Sequence, residues 1–265
     1  MTQEPRTRNL PRPIFSCRAA ERLLRVFAAA SAFACAPAAA IDWNAAGRQI
    51  AAQALSDPGA FMAEFQQDLE ATTPLPTGQP AALQAGLAPS LFPAGMANLS
   101  VKRRLCPESY LFENSPQIEA FAGGWIMPLP QMTASWRKDD MDSAFFGGYY
   151  AGLMGASSMS PRVRMFYGLK YSRLRARLEL KKQRSIFGVP VSSFDSDFAD
   201  GFFIVGLEQI DSSEHRWSMQ LNFGVATNTV AAKISWYGEH WEAGANIYPE
   251  GAIPIHPVVN YHVAF

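Results

Sequence analysis

The chain has 265 residues, with 23 basic and 23 acidic side chains, no formal net charge and three cysteines. That length suits one large domain or two small ones, and the charge balance leaves no cationic surplus for a nucleic-acid partner. So few cysteines, none in zinc spacing with a histidine, exclude a disulfide-stapled scaffold and a structural zinc module, and no cofactor or metal is expected.

Residues 1–40 read as a secretory signal. Six arginines (Arg6, Arg8, Arg12, Arg18, Arg22 and Arg25) precede or open the apolar run from Val26 to Ala36. Ala38 and Ala40 suit cleavage before Ile41, or just after Ala38. The run is shorter than the roughly 20 residues of a spanning helix. Cys35 follows Ala32-Phe33-Ala34, a poor match to a lipoprotein box. Taking the six Arg and the two acidic residues of this stretch (Glu4 and Glu21) from the totals leaves 17 basic and 21 acidic residues, about −4, for 41–265.

From Ile41 to about Ala71 the pattern is helical. Asp42 can cap a first helix carrying Ala45, Ile50 and Leu55. Ser56-Asp57-Pro58 then starts a second, with proline at its first position. Phe61, Met62, Phe65 and Leu69 form one apolar stripe on it. Residues 74–93 hold Pro74, Pro76, Pro80, Pro89 and Pro93, a composition that resists regular structure and reads as an extended linker. Lys102-Arg103-Arg104 reads as a solvated basic turn, with anionic lipid as its sharper alternative. The expected domains are a signal peptide at 1–40, a helical and Pro-rich periplasmic segment at 41–117, and a β-domain at 118–265.

Beyond Ile118 the texture changes. Five of the six Trp and seven of the eight Tyr lie there. Trp217, Met219, Leu221, Phe223 and Val225 alternate with Arg216, Ser218, Gln220, Asn222 and Gly224. Such a period of two marks a strand with one apolar face. Val163, Met165, Tyr167, Leu169 and Tyr171 alternate similarly with polar residues. Near Ser172-Arg173 the phase changes, as at a bulge. Leu174, Ala176, Leu178 and Leu180 then alternate with charged residues. Further strands are expected at 118–127, 131–137, 143–154, 201–210, 229–238, 240–248 and 255–265. The uncharged stretch Ser143–Ser160 is long enough for a membrane helix, but Gly147, Gly148, Gly152 and Gly155 and four serines favour a strand. Asp195-x-Asp197-x-x-Asp200 lacks the later glutamate of a calcium loop and reads as an acidic surface loop.

The last strand is the most telling. Val259, Tyr261, Val263 and Phe265 share one phase, against Val258, Asn260, His262 and Ala264. An alternating strand that ends on Phe resembles the closing strand of Gram-negative outer-membrane β-barrels, where Tyr261, Val263 and Phe265 would form the signal read by the barrel-assembly machinery. That resemblance covers roughly 118–265. It implies a mainly β fold, an antiparallel transmembrane barrel of 8–10 strands preceded by a short helical segment. Outer-membrane lipids and the barrel-assembly machinery are the expected partners and the cell outer membrane the expected location, with no nucleic acid involved.

In such a barrel one phase faces lipid and the other the lumen. Trp217, Trp236, Tyr167, Tyr171 and Tyr261 suit the lipid boundary. The expected luminal residues are Arg162, Arg164, Arg173, Arg175, Arg177, Glu179, His256 and His262. Asp200, Glu208 and Glu242 are available as counter-charges. A charged but paired interior points to a narrow, largely closed barrel. The leading function is therefore a non-enzymatic small barrel, acting as a narrow pore or an envelope structural protein. Two alternatives stand beside it. A lipid-modifying acyl hydrolase or transferase would use His256 or His262 with Ser218 or Ser235 and Glu239 or Glu242; a secreted or periplasmic β-protein would use none of them. No nucleophile motif marks catalytic residues.

Overall fold

The computed structural model describes residues 58–70, 72–88, 96–127, 141–186, 189–212, 215–251 and 253–264, with Arg48, Gln49, Ala52 and Ser56 as isolated positions. Among the described residues, ten antiparallel strands follow the helix α1 (Pro58–Leu69). The strands are β1 (Ala81–Ala88), β2 (Met96–Cys106), β3 (Gln117–Ile126), β4 (Met141–Ser160), β5 (Val163–Ile186), β6 (Val189–Ile210), β7 (Arg216–Gly224), β8 (Val230–Tyr237), β9 (Trp241–Ile247) and β10 (Ile255–Ala264). Each pairs with its chain neighbours, and β1 pairs with β10 to close the barrel. The seam runs in register from Ala82 opposite Ala264 to Gly86 opposite Asn260. Closure leaves no strand edge unpaired around the barrel itself, the condition a sheet must meet to sit in hydrocarbon.

The barrel wall has its apolar face outward. Leu169 and Leu99 are each 58% exposed, and Leu83, Val101, Leu153, Tyr167, Tyr171, Phe203, Leu207, Met219 and Tyr261 are also exposed. Glu208 is 0% exposed and Arg164 1%, and Lys102, Glu119, Lys170, Lys233 and Glu242 are buried with them. In water this distribution would leave a continuous apolar surface far beyond what a soluble monomer carries. Against lipid it is the stable arrangement.

The barrel has two distinct ends. At the near end β1 begins and β10 finishes; the far end lies opposite. β4, β5 and β6 are 20, 24 and 22 residues long, where a tilted crossing needs only about 9–11. Their excess extends at the far end: β7 stops at Gly224, opposite Phe202, while β6 pairs with β5 onward to Val189.

Several expectations are corrected here. The barrel starts at Ala81 rather than at 118, because β1 and β2 lie within the stretch expected to precede it. The basic run Lys102-Arg103-Arg104 belongs to β2 and is no turn. Ser143–Ser160 is strand, inside β4, as its glycines and serines favoured. No bulge interrupts β5 at Ser172-Arg173, since its pairing with β4 and β6 runs unbroken through both residues. Asp195 and Asp197 lie in β6, not in a loop. The expected helix over 42–55 is described only at three positions, and the strand at 131–137 and the terminal Phe265 lie outside the described residues.

Candidate functional site

The barrel interior is occupied by the chain itself. Eight strands already enclose a space that side chains fill, and the bore widens with strand number, so ten leave room for a chain segment. Residues 58–80 take that room. The helix α1 starts with proline at its first turn, where the missing N–H costs nothing. Its stripe Phe61, Phe65 and Leu69 packs in one buried cluster with Met96, Trp125, Met127, Leu174 and Ala176 of the wall, and Phe146, Phe198 and Ile253 border it. Burying these three side chains contributes roughly 1.5–3 kcal/mol each. This explains the apparent phase change in β5. Leu174 and Ala176 face inward like Lys170 and Ser172, and the lumen turns apolar at that level because an apolar helix face fills it.

Polar contacts pin the other face of α1. The Asp68 carboxylate accepts from Asn246 Nδ2 at 2.6 Å and Tyr248 Oη at 2.9 Å on one oxygen, and lies 2.6 Å from His256 Nδ1 on the other. Burial first, then the Asp68 charge, pushes the Tyr248 phenol well above its ordinary range, which keeps it a donor. Phe65 and Tyr248 each lie against the His256 ring at 4.7 Å between centroids. Glu70, just past the helix, forms a buried ion pair with Lys170 and accepts a hydrogen bond from Ser172 Oγ at 2.5 Å.

Below the helix the segment is extended, and the wall supplies the hydrogen bonds its backbone lacks. Asn98 Nδ2 donates to the Leu69 carbonyl at 2.6 Å, and Lys102 to that of Thr73. Both Glu119 carboxylate oxygens accept from the Leu75 amide, at 2.9 and 3.0 Å. Arg164 donates to the Leu75 carbonyl at 3.1 Å and Arg104 to that of Pro76 at 2.7 Å. Thr72 bonds Gln220, and Thr73 bonds Tyr237. The remaining luminal charges are paired. Glu208 holds Arg164 at 3.2 Å and Arg216 at 3.1 Å, and Glu242 holds Lys233 at 2.6 Å.

Of the expected luminal set, Arg164 and His256 are buried inside, and His262 is half-buried on the same phase of β10. Arg173, Arg175 and Arg177 are corrected to the outer face. They share the phase of Tyr167, Leu169 and Tyr171, on the far-end extension of β5. There Arg173 pairs with Asp197 at 2.6 Å, Arg175 with Asp195 at 3.1 Å and Arg177 with Glu179 at 2.5 Å, all with exposed side chains. Glu179 is thus an outer-face residue too. Arg162 is exposed in the β4–β5 turn. Of the three expected counter-charges, Glu208 and Glu242 serve as such, whereas Asp200 accepts from the Ala226 and Thr227 amides and braces the β7–β8 turn.

Among the described residues, no hydrogen bond joins His256 or His262 to Ser218 or Ser235. His256 contacts Asp68 at the far end, while His262 lies six residues along β10, about 20 Å away at strand rise. Ser235 donates to Glu242 at 2.9 Å. His215, in the exposed β6–β7 turn, has Ser212 Oγ 3.1 Å from its Nδ1. On the outer wall, Trp217, Ile234 and Trp236 with the small residues Ala243, Gly244 and Ala245 line an open apolar groove of about 690 Å³. Aromatic residues flanking small ones suit contact with acyl chains near a bilayer boundary.

The luminal segment was the main element missed by sequence reasoning. Its signal lay in the apolar stripe of α1 and in the acidic residues Asp68, within the helix, and Glu70, directly after it.

An apolar outer surface, an interior that buries the charged side chains and closure of the ten strands define a transmembrane β-barrel of the outer-membrane class. No protein-family model matches the chain, and no curated protein matches it. Among solved structures it is similar to Ail, the attachment invasion locus protein of Yersinia pestis, at 9% identity and a TM-score of 0.34, covering 70% of this chain and 99% of that one.

Proposed function

We propose that this protein is an outer-membrane barrel with a structural role, closed to solutes by its own amino-terminal segment rather than acting as an open pore. The observation that carries this reading is the run of lumen contacts from α1 to Pro76. A pore needs a continuous water path, yet here the Leu69, Thr73 and Pro76 carbonyls are bonded to β2, the Leu75 carbonyl to β5, and the Thr72 and Thr73 hydroxyls to β7 and β8 across from β2. The inverted distribution of apolar and charged residues supports the membrane assignment, and the alternating final strand supports insertion by the barrel-assembly machinery.

Planar-bilayer recording of the purified full-length protein tests it. The wild-type barrel is expected to be electrically silent. Glu70→Ala combined with Asp68→Ala, which releases the segment from Lys170 and His256, is expected to produce current steps. Stable open-channel steps from the wild type would overturn the closed reading and restore the narrow pore.

A further inference from the structure

The luminal segment crosses the barrel once, in one direction. Down β2 its contacts fall in order: Leu69 meets Asn98, Thr73 meets Lys102 and Pro76 meets Arg104. Along antiparallel β5 they fall in reverse, Glu70 meeting Lys170 and Ser172, and Leu75 meeting Arg164. Chain direction is therefore from the far end to the near end, where the segment turns into β1 at Ala81. Phe61, near the start of α1, clusters with the far-end residues Met96, Trp125, Met127, Leu174 and Ala176. The four described residues ahead of Pro58, namely Arg48, Gln49, Ala52 and Ser56, are all exposed.

We infer that the barrel is an anchor that presents Arg48, Gln49, Ala52 and Ser56, ahead of its luminal helix, on the side of the membrane opposite its carboxy-terminal strand, at the cell surface. The inference rests on the outer-membrane reading above. With an even strand number, β1 and β10 both end on the periplasmic side, and the long excursions face outward. The far-end extension of β4, β5 and β6 and the two-residue β4–β5 turn at the near end fit that orientation. A segment that merely plugged the bore from the periplasm would enter and leave at the near end. Among the described residues this one does not return.

Single cysteines placed in a background with Cys17, Cys35 and Cys106 all replaced by serine test the display. Gln49→Cys reports the stretch ahead of the helix, Glu250→Cys the far end of the barrel and Glu239→Cys the near end; all three sites are exposed. Intact cells are treated with a membrane-impermeant biotin-maleimide, with and without outer-membrane permeabilisation. Heat-dependent gel mobility confirms that each variant folds, and intact mass confirms that residue 49 remains in the mature chain. Labelling of the position-49 and position-250 variants in intact cells, with position 239 reactive only after permeabilisation, is the expected result. Labelling at 250 but not at 49, or loss of residue 49 on maturation, overturns the display while leaving the outer-membrane reading intact. Labelling at 239 but not at 250 in intact cells overturns the orientation and the display together. Absence of the protein from the outer-membrane fraction overturns the reading on which both rest.

Discussion

Glu70 and Lys170 meet as an ion pair in the middle of the barrel, one on the luminal segment and one on the wall, with side-chain exposures of 0% and 1%. The ammonium also sits 4.3 Å above the Phe202 ring. Neither charge has access to bulk water, so each depends on the other. Removing one partner strands a buried charge, which costs about 3–5 kcal/mol, whereas removing both together costs much less. Glu70→Gln and Lys170→Met are each expected to lower the urea midpoint of the folded barrel in detergent, and the double variant to recover part of the loss. Additive losses would show that the two residues act separately.

The Asp68 contact predicts a local effect. Asp68→Asn removes the negative charge that His256, Tyr248 and Asn246 share. Charge-assisted hydrogen bonds contribute about 1.5–3 kcal/mol each, and their loss loosens α1 more than the wall. Limited proteolysis should then cut within 58–70 while the barrel keeps its heat-dependent mobility. Protection equal to wild type would show that the apolar stripe alone holds the helix.

Close packing around one glycine gives a sharper test. A Cβ on Gly148 would lie 2.6 Å from Gln66 Oε1, 2.7 Å from Trp125 Nε1 and 2.7 Å from the Arg173 carbonyl. Gly148→Ala therefore forces apart the wall and the luminal segment, at about 1–3 kcal/mol. At Gly201 a Cβ meets nothing within 4 Å, so Gly201→Ala is expected to be neutral or slightly stabilising. Thermal unfolding in detergent compares the two, and equal shifts would contradict the packing.

The outer face of β5 marks the lipid boundary. Leu169 and Arg175 share one phase and are both exposed, yet opposite consequences are expected. Leu169→Arg places a charge in hydrocarbon and is expected to cost about 2–4 kcal/mol in lipid vesicles. Arg175→Ala removes an exposed pair with Asp195 and should cost about 0–1 kcal/mol. Comparable small effects at both sites would mean that no bilayer surrounds Leu169.

Closure itself is the simplest prediction. Its strands leave no open edge, so the barrel should resist SDS until heated and then shift in gel mobility. An unshifted band would contradict the closed seam between Ala82 and Ala264.

Much of the wall was legible in the residues. The alternation in 216–224 and 255–264 set both strands and their outer faces, because a period of two has only two possible phases. Two places misled. β1, Ala81–Ala88, is rich in alanine and sits in a Pro-rich stretch, so its strand signal is weak. In β2 Asn98, Ser100 and Lys102 alternate with Leu99 and Val101, but the run Lys102-Arg103-Arg104 puts charge on both phases and masks the period of two. The error at Arg173, Arg175 and Arg177 had a different origin. Inside and outside were assigned by polarity, and that rule fails wherever the lumen holds an apolar partner.

Sequence alone thus determined the class of architecture, since alternation, aromatic placement and the final strand are local properties of the chain. Only the tertiary structure decided what fills the bore, because Glu70 and Lys170, a hundred residues apart, become partners through closure of the wall around the segment. The same closure decided which face the β5 arginines take. Identical Arg side chains are stable inside with a buried anion or outside beyond the lipid, and nothing in their own stretch of sequence distinguishes the two environments.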